Sequence, residues 1–187
     1  MRKNDVNSYF KSQFEDIIQN QNLNMTRAKW LNEDNAYAYS IYGDVRQYYL
    51  KEGLFPISNV RYIASKSAFD EILWIYQKRS NNIKDLNSHI WDSWTDESGS
   101  IGQSYGAILN KEYNGFLNNN KDIFGDKPFS NHVESLYQEL CQNPLNRRIM
   151  TNMFDFNELN NTLLPPCAFQ TLWSVNKEKN ELNMSLV

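Results

Sequence analysis

Three strand-like runs close the chain, "RRIMTNMFDF", "CAFQTLWSV" and "NELNMSLV", and they restrict it to folds built on a β-sheet. The last two are joined by nothing longer than the polar turn "NKEKN". Upstream the period changes. In "SKSAFDEILWIYQKRS", Phe69, Ile72, Leu73 and Tyr76 fall at i, i+3, i+4 and i+7, which predicts a helix with Ser65 or Ser67 as its cap. "NHVESLYQELCQN" predicts another, with Val133, Leu136, Tyr137 and Leu140 on one face and Pro144 ending it. At the start, Phe10, Phe14, Ile17 and Ile18 have the spacing of an amphipathic helix docked on one side. A polar loop, "NQNLNMTRAKWLNEDN", then leads into "AYAYSIYGDVRQYYL", which reads as a long strand kinked at Gly43. Strands at both ends with helices between them predict an α+β fold, a sheet layered with helices. At 187 residues the chain supports one core, and residues 1–187 read as a single domain without internal repeats. Residues 110–128, rich in Asn, Lys and Gly, read as an exposed excursion.

Charge and composition exclude several classes of function. The net charge is −3 with both signs interspersed, so no cationic face favours a nucleic acid or a membrane surface. No window reaches the ~18 apolar residues of a membrane span. The polar start "MRKNDVNSYF" and a cysteine count of 2 argue against a secreted disulfide framework and for a reducing cytoplasm. His89 and His132 share no ligand spacing with each other or with the cysteines, so no metal site is expected. "GQSYG" has the form Gly-x-Ser-x-Gly, but no strand-to-helix elbow is predicted around it. Phosphate-loop and dinucleotide fingerprints are absent.

The residues able to carry chemistry each have a plain structural reading beside the functional one. Cys167, after two prolines in "LLPPCAFQTLWSV", is either a small core hydrophobe or a nucleophile. Arg147 and Arg148 in "NRRI" are a solvated pair or two planar forks for a phosphate. Glu71 is an exposed helix carboxylate, or one desolvated beside Ile72, Leu73 and Trp74 with a raised pKa. Trp91 and Trp94 in "HIWDSW" are core residues or a stacking platform, and Tyr105 is a turn tyrosine or a phenol reaching into a cleft.

Taken in order, "DEILWIYQ", "NNIKDLNSHIWDSW", "GSIGQSYG", "NPLNRRIM" and "LLPPCAFQTLWSV" closely resemble thymidylate synthase across nearly the whole chain. That resemblance implies a central sheet layered with helices, and methylation of dUMP to dTMP with 5,10-methylenetetrahydrofolate as methylene donor and reductant. It makes Cys167 the nucleophile that adds to C6 of the uracil. Glu71 becomes the proton relay near the uracil O4 and the folate, and Tyr105 the tyrosine beside the nucleophile. Ile90, Trp91 and Trp94 correspond to the wall behind the pterin, and Arg61 falls near the folate tail. Arg147 and Arg148 correspond to the pair that reaches the phosphate in the other subunit, which implies a homodimer joined sheet against sheet. The implied partners are dUMP and a reduced folate, in the cytoplasm, without a metal.

The chain departs from the family pattern at three places. Ala168 follows Cys167 where many members have histidine, and Glu33 stands near the place of an early phosphate-binding arginine. The strand matching "ELNMSLV" is not followed by the family's Arg-Ser-x-Asp, Leu-Gly-x-Pro-Phe-Asn and His-x-Tyr segments. The expectation is therefore the N-terminal portion of such an enzyme, poorly active alone and completed by a C-terminal half. The alternatives are a folate-dependent pyrimidine nucleotide hydroxymethylase, or an inactive fragment serving only as a complementing or interaction partner.

Overall fold

The computed structural model describes residues 6–53, 55–112 and 131–187, so most of the excursion expected over 110–128 lies outside the described residues. The chain divides into two compact units, Met1–Ser65 and Lys66–Val187.

In the first unit, helix α1 (Val6–Asn20) leads into a two-stranded antiparallel hairpin of β1 (Leu23–Lys29) and β2 (Asn35–Tyr39). The helix ends where Gln21 turns left-handed at φ 48 and its N–H returns to the Ile17 carbonyl. Its start is tied down by Asn7, which bonds Asn59 and accepts from the Ser58 hydroxyl. The apolar face expected to dock is open instead: Phe10, Phe14 and Ile18 are exposed. β1 falls inside the predicted polar loop, and the reason is its inward side. Asn24 and Thr26 point inward and are satisfied by hydrogen bonds to Ser40 and the Ala36 carbonyl, so the apolar alternation that marks a strand is missing. The long strand predicted after Ala36 stops at Tyr39, because Leu23, its partner in the register, is where β1 begins.

The second unit is built on a meander of β3 (Met150–Asn152), β4 (Gln170–Asn176) and β5 (Glu181–Leu186), antiparallel throughout. All three predicted strands are present, with the predicted turn between β4 and β5, and the fold is α+β as expected. Helix α2 (Ser65–Leu73) runs into a π-helical turn over Trp74–Lys78, which Arg79 closes at φ 53. Trp74 and Ile75, the first residues of this turn, enter the core, while Phe69, Ile72 and Leu73 on α2 are exposed. Tyr76 faces the sheet. Its hydroxyl lies 3.2 Å from Thr151 Oγ1, which is itself 2.6 Å from Thr171 Oγ1, so a buried hydroxyl cluster pins the π turn to β3 and β4. Short helix α3 (Gly106–Leu109) and helix α4 (His132–Gln142) also belong to this unit. Asn131 caps α4 by accepting from the Val133 and Glu134 N–H groups, and also accepts from Arg79. The core gathers Trp74, Ile75, Leu86, Trp91, Ile101, Tyr105, Leu109 and Met153.

One ion cluster ties the residue just past α3 to the 3-10 turn over Phe156–Asn161. Lys111 Nζ lies 2.8 Å from Asp155 and 2.7 Å from Glu158. The lysine's hydrogen bonds hold both carboxyls below their ordinary values of 3.8 and 4.5, and those carboxylates push Lys111 up. A depressed carboxyl contributes stability that is present above its unfolded pKa and is lost as pH falls through the folded one. A raised lysine contributes below its ordinary value of 10.5 and loses that contribution above it. Lys111→Met should therefore destabilise the fold between about pH 4.5 and pH 10.5, with the difference from the unsubstituted chain shrinking at more acid pH. Urea titrations of both proteins across pH check this, and a difference that does not change with pH would contradict it.

Candidate active site

The segment Asn81–Tyr105 and the approach to β4 are stitched together by backbone bonds before any reactive side chain is placed. Ile101 N–H donates to the Asn81 carbonyl, Gln103 N–H to Asn161, and Leu163 N–H to Ile101. Gly102 pairs with Thr162 at this crossing, at φ +80, with so little room that a Cβ there would lie 2.3 Å from the Asn161 carbonyl oxygen. Two residues on, Ser104 is fully buried and its hydroxyl points to the Leu164 carbonyl at 3.4 Å. The serine of "GQSYG" is thus a packing residue.

This stitching brings Tyr105 to Cys167. The tyrosine has φ 43 and ψ −104, unusual for a residue with a side chain, and its hydroxyl accepts the Cys167 backbone N–H at 2.9 Å. Burial pushes the Tyr105 phenol up, and Cys167 and Glu71 nearby add to the rise. The bond from the Cys167 N–H works against it. The ring meets Trp91 edge-on, with centroids 5.6 Å apart. Trp91 in turn donates its indole N–H to Glu71 Oε1 at 2.7 Å and packs on Trp74. Glu71, Trp91, Tyr105 and Cys167 therefore form one connected series. The carboxylate is half-buried, the indole buried and the thiol-bearing residue exposed.

Beside this series is a cleft of about 180 Å³ lined by Glu71, Ile90, Trp91, Trp94 and Leu164. Ile90 and Trp94 are about half exposed, so the cleft has an apolar, aromatic wall with a single carboxylate on it. Leu164 is a lining residue that sequence reasoning did not select. Its signal was its place in "LLPPC", an apolar residue fixed just before the proline pair.

The arginines are not part of this group. Arg147 and Arg148 are exposed in the turn before β3, where the Asn146 side chain accepts the Arg148 N–H. Among the described residues their guanidinium groups form no ion pair. Arg61 is an exposed residue of the first unit. A second, larger cleft of about 350 Å³, lined by His132, Asn152, Phe154, Asp155, Phe156 and Asn157, contains none of the predicted site residues. Burial lowers the pKa of His132, against the opposing charge of Asp155. Among the described residues no group of three His, Cys, Asp or Glu could hold a metal ion. No helix among them is long and apolar enough to cross a membrane.

A family model described as Thymidylate synthase matches residues 8–187. Thymidylate synthase 1 of Bacillus spizizenii is 33% identical over 181 residues, covering 95% of this chain and 61% of the relative. The thymidylate synthase of Streptococcus gordonii is 35% identical over 162 residues, covering 83% of this chain and 52% of its own. Among solved structures, the thermostable thymidylate synthase A from Bacillus subtilis superposes with a TM-score of 0.74 at 30% identity, covering 97% of this chain and 63% of that one. The chain thus spans between half and about three fifths of the length of these relatives.

Proposed function

Because this chain belongs to the thymidylate synthase family, we propose that the series from Glu71 to Cys167 is the reactive part of a site that methylates dUMP to dTMP. The observation that carries this reading is the bond from the Cys167 N–H to the Tyr105 hydroxyl, which fixes the backbone of an exposed cysteine at the end of a partly buried series. Cys167 Sγ would bond to C6 of the uracil, shifting the ring's electron pair so that C5 becomes the nucleophilic carbon. Glu71, held in place by the Trp91 indole, would move protons at the uracil O4. Tyr105 would hold the cysteine backbone and orient a proton acceptor toward C5.

The cleft fits a planar ring system: Ile90, Trp91, Trp94 and Leu164 give it a flat apolar wall, and Glu71 an acceptor for ring N–H groups. Its volume is below the ~300 Å³ at which pockets enclose a whole small ligand, so it suits one ring system and leaves the rest of the molecule outside. 5,10-methylenetetrahydrofolate, bound there, would supply the one-carbon unit and the hydride. Arg147 and Arg148, exposed and free of ion pairs among the described residues, would meet the phosphate of dUMP bound in a second copy. A homodimer would then form on the sheet face where Met150 and Leu172 are paired and partly exposed. The exposed apolar residues are in keeping with completion by further polypeptide, and a reducing cytoplasm suits a reactive thiol.

The test pairs this chain with a polypeptide made from the part of a Bacillus relative that the match does not span. Release of tritium from C5-labelled dUMP in the presence of the folate is expected from the pair and not from either polypeptide alone. A well-folded pair that binds dUMP and releases no tritium would overturn the reading.

A further inference from the structure

Tyr105 has a backbone conformation that a tyrosine does not adopt unaided. At φ 43 and ψ −104 it lies outside the left-handed helical region, in which Arg79 sits at φ 53 and ψ 38. A residue with a side chain keeps such a conformation only where its surroundings fix it.

Those surroundings converge on residues 80–82, which leave the π turn after α2. The Ser80 N–H reaches back to the Trp74 carbonyl at 3.3 Å, and the Trp74 indole N–H donates to the Asn82 carbonyl at 3.0 Å. The segment is thereby fixed to the end of the helix that carries Glu71. It also grips both flanks of Tyr105. On one flank Gly106 packs so near that a Cβ there would lie 2.4 Å from the Ser80 carbonyl oxygen. On the other, the Asn81 carbonyl accepts the Ile101 N–H at 2.9 Å, and Asn81 Nδ2 donates to the Gly102 carbonyl at 2.8 Å. Of the three side chains, Asn81's alone bonds this turn among the described residues: Ser80 Oγ donates to Asp85, and Asn82 Nδ2 to the Ser98 carbonyl.

We propose that Asn81 is a positioning residue of the active site: its bond to the Gly102 carbonyl ties the turn that leads into Tyr105 to the helix of Glu71, and so seats the Tyr105 hydroxyl under the Cys167 N–H. The catalytic consequence rests on the reading of this site as one that methylates dUMP. In that reading Glu71 moves protons at the uracil O4 and Tyr105 orients the acceptor at C5, so one amide sets the separation of the two elements that handle protons. Without it, Tyr105 can relax toward a less strained backbone and swing its hydroxyl off the Cys167 amide. The Gly102 carbonyl would still accept the Ser104 N–H at 3.0 Å. Asn81→Ala therefore leaves no orphaned acceptor there, and the unit should stay folded.

Hydrogen exchange at the Cys167 amide, followed by NMR on the 187-residue chain, reads this seat directly. Asn81→Ala, and Asn81→Asp, which puts a carboxylate oxygen where the donor was, should each speed that exchange about tenfold. Tyr105→Phe, which removes the acceptor, should speed it at least as much. Adding Asn81→Ala to Tyr105→Phe should bring no further increase, because Asn81 acts through the Tyr105 hydroxyl. The Trp173 N–H, which donates to the Ile149 carbonyl at 2.8 Å, should exchange as in the unsubstituted chain. In the complemented protein the Asn81 variants should lower kcat for tritium release about tenfold and leave KM for dUMP within about twofold. An unchanged Cys167 amide, an equal rise at Trp173, effects that multiply in the double variant, or an unchanged kcat in an active complemented protein would each overturn the proposal. A Cys167 amide that responds as expected, in a complemented protein that releases no tritium, would overturn the reading of the site and leave the seating of Tyr105 by Asn81 standing.

Discussion

Replacing Cys167 by serine is expected to lower tritium release from C5-labelled dUMP by at least about ten-thousand-fold in the complemented protein. A serine hydroxyl is a far weaker nucleophile at neutral pH than a thiol, of which some fraction is already thiolate. The fold should be unaffected, because the hydrogen bond Cys167 makes to Tyr105 comes from its backbone N–H, which serine keeps. Cys141→Ser supplies the control: that cysteine is exposed on α4, and its loss should leave the rate unchanged. A residual rate within tenfold of the unsubstituted protein would move the chemistry to another residue.

Gly102→Ala should destabilise the second unit by about 3 kcal/mol, combining the cost of a left-handed backbone with an overpacked contact. The new methyl would lie 2.3 Å from the Asn161 carbonyl oxygen and 2.9 Å from the Thr162 Cα, both backbone atoms that no side-chain rotation can move away. Relief requires parting the crossing that seats Tyr105 under Cys167, so the substitution should also weaken the tritium release supported by the complemented protein. Gly53→Ala, at a similar positive φ but with open space around it, separates the two costs and should lose only about 1 kcal/mol. Urea unfolding of both variants measures the difference, and equal losses would show that the contact at Gly102 yields.

The parts of this molecule that were legible in the sequence are those whose signal is local. The closing strands and helix α4 announce themselves through period, turn and a terminating proline, and the reactive residues through short ordered motifs. β1 was hidden because its inward residues, Asn24 and Thr26, are polar and satisfied by side-chain hydrogen bonds. The helix α2 was legible from its spacing, but the core residues Trp74 and Ile75 fall in a π turn that a fixed 3.6-residue period does not contain. The spacing of Trp91 and Tyr105 from Glu71 and Cys167 carries no local information at all. That closeness comes from the backbone crossing at Gly102, and only the folded chain displays it.

The central claim is that Cys167 adds to the pyrimidine ring, and trapping that bond tests it most directly. A dUMP analogue with fluorine at C5 permits addition at C6, but the fluorine cannot leave as a cation where the hydrogen would leave as a proton, so the sulfur–carbon bond persists. Peptide mass mapping of the complemented protein, after incubation with this analogue and the folate, should find one nucleotide per chain on the peptide containing Cys167 and none on Cys141. An unmodified Cys167 peptide from protein that binds the analogue, or an adduct on any other residue, would contradict the account.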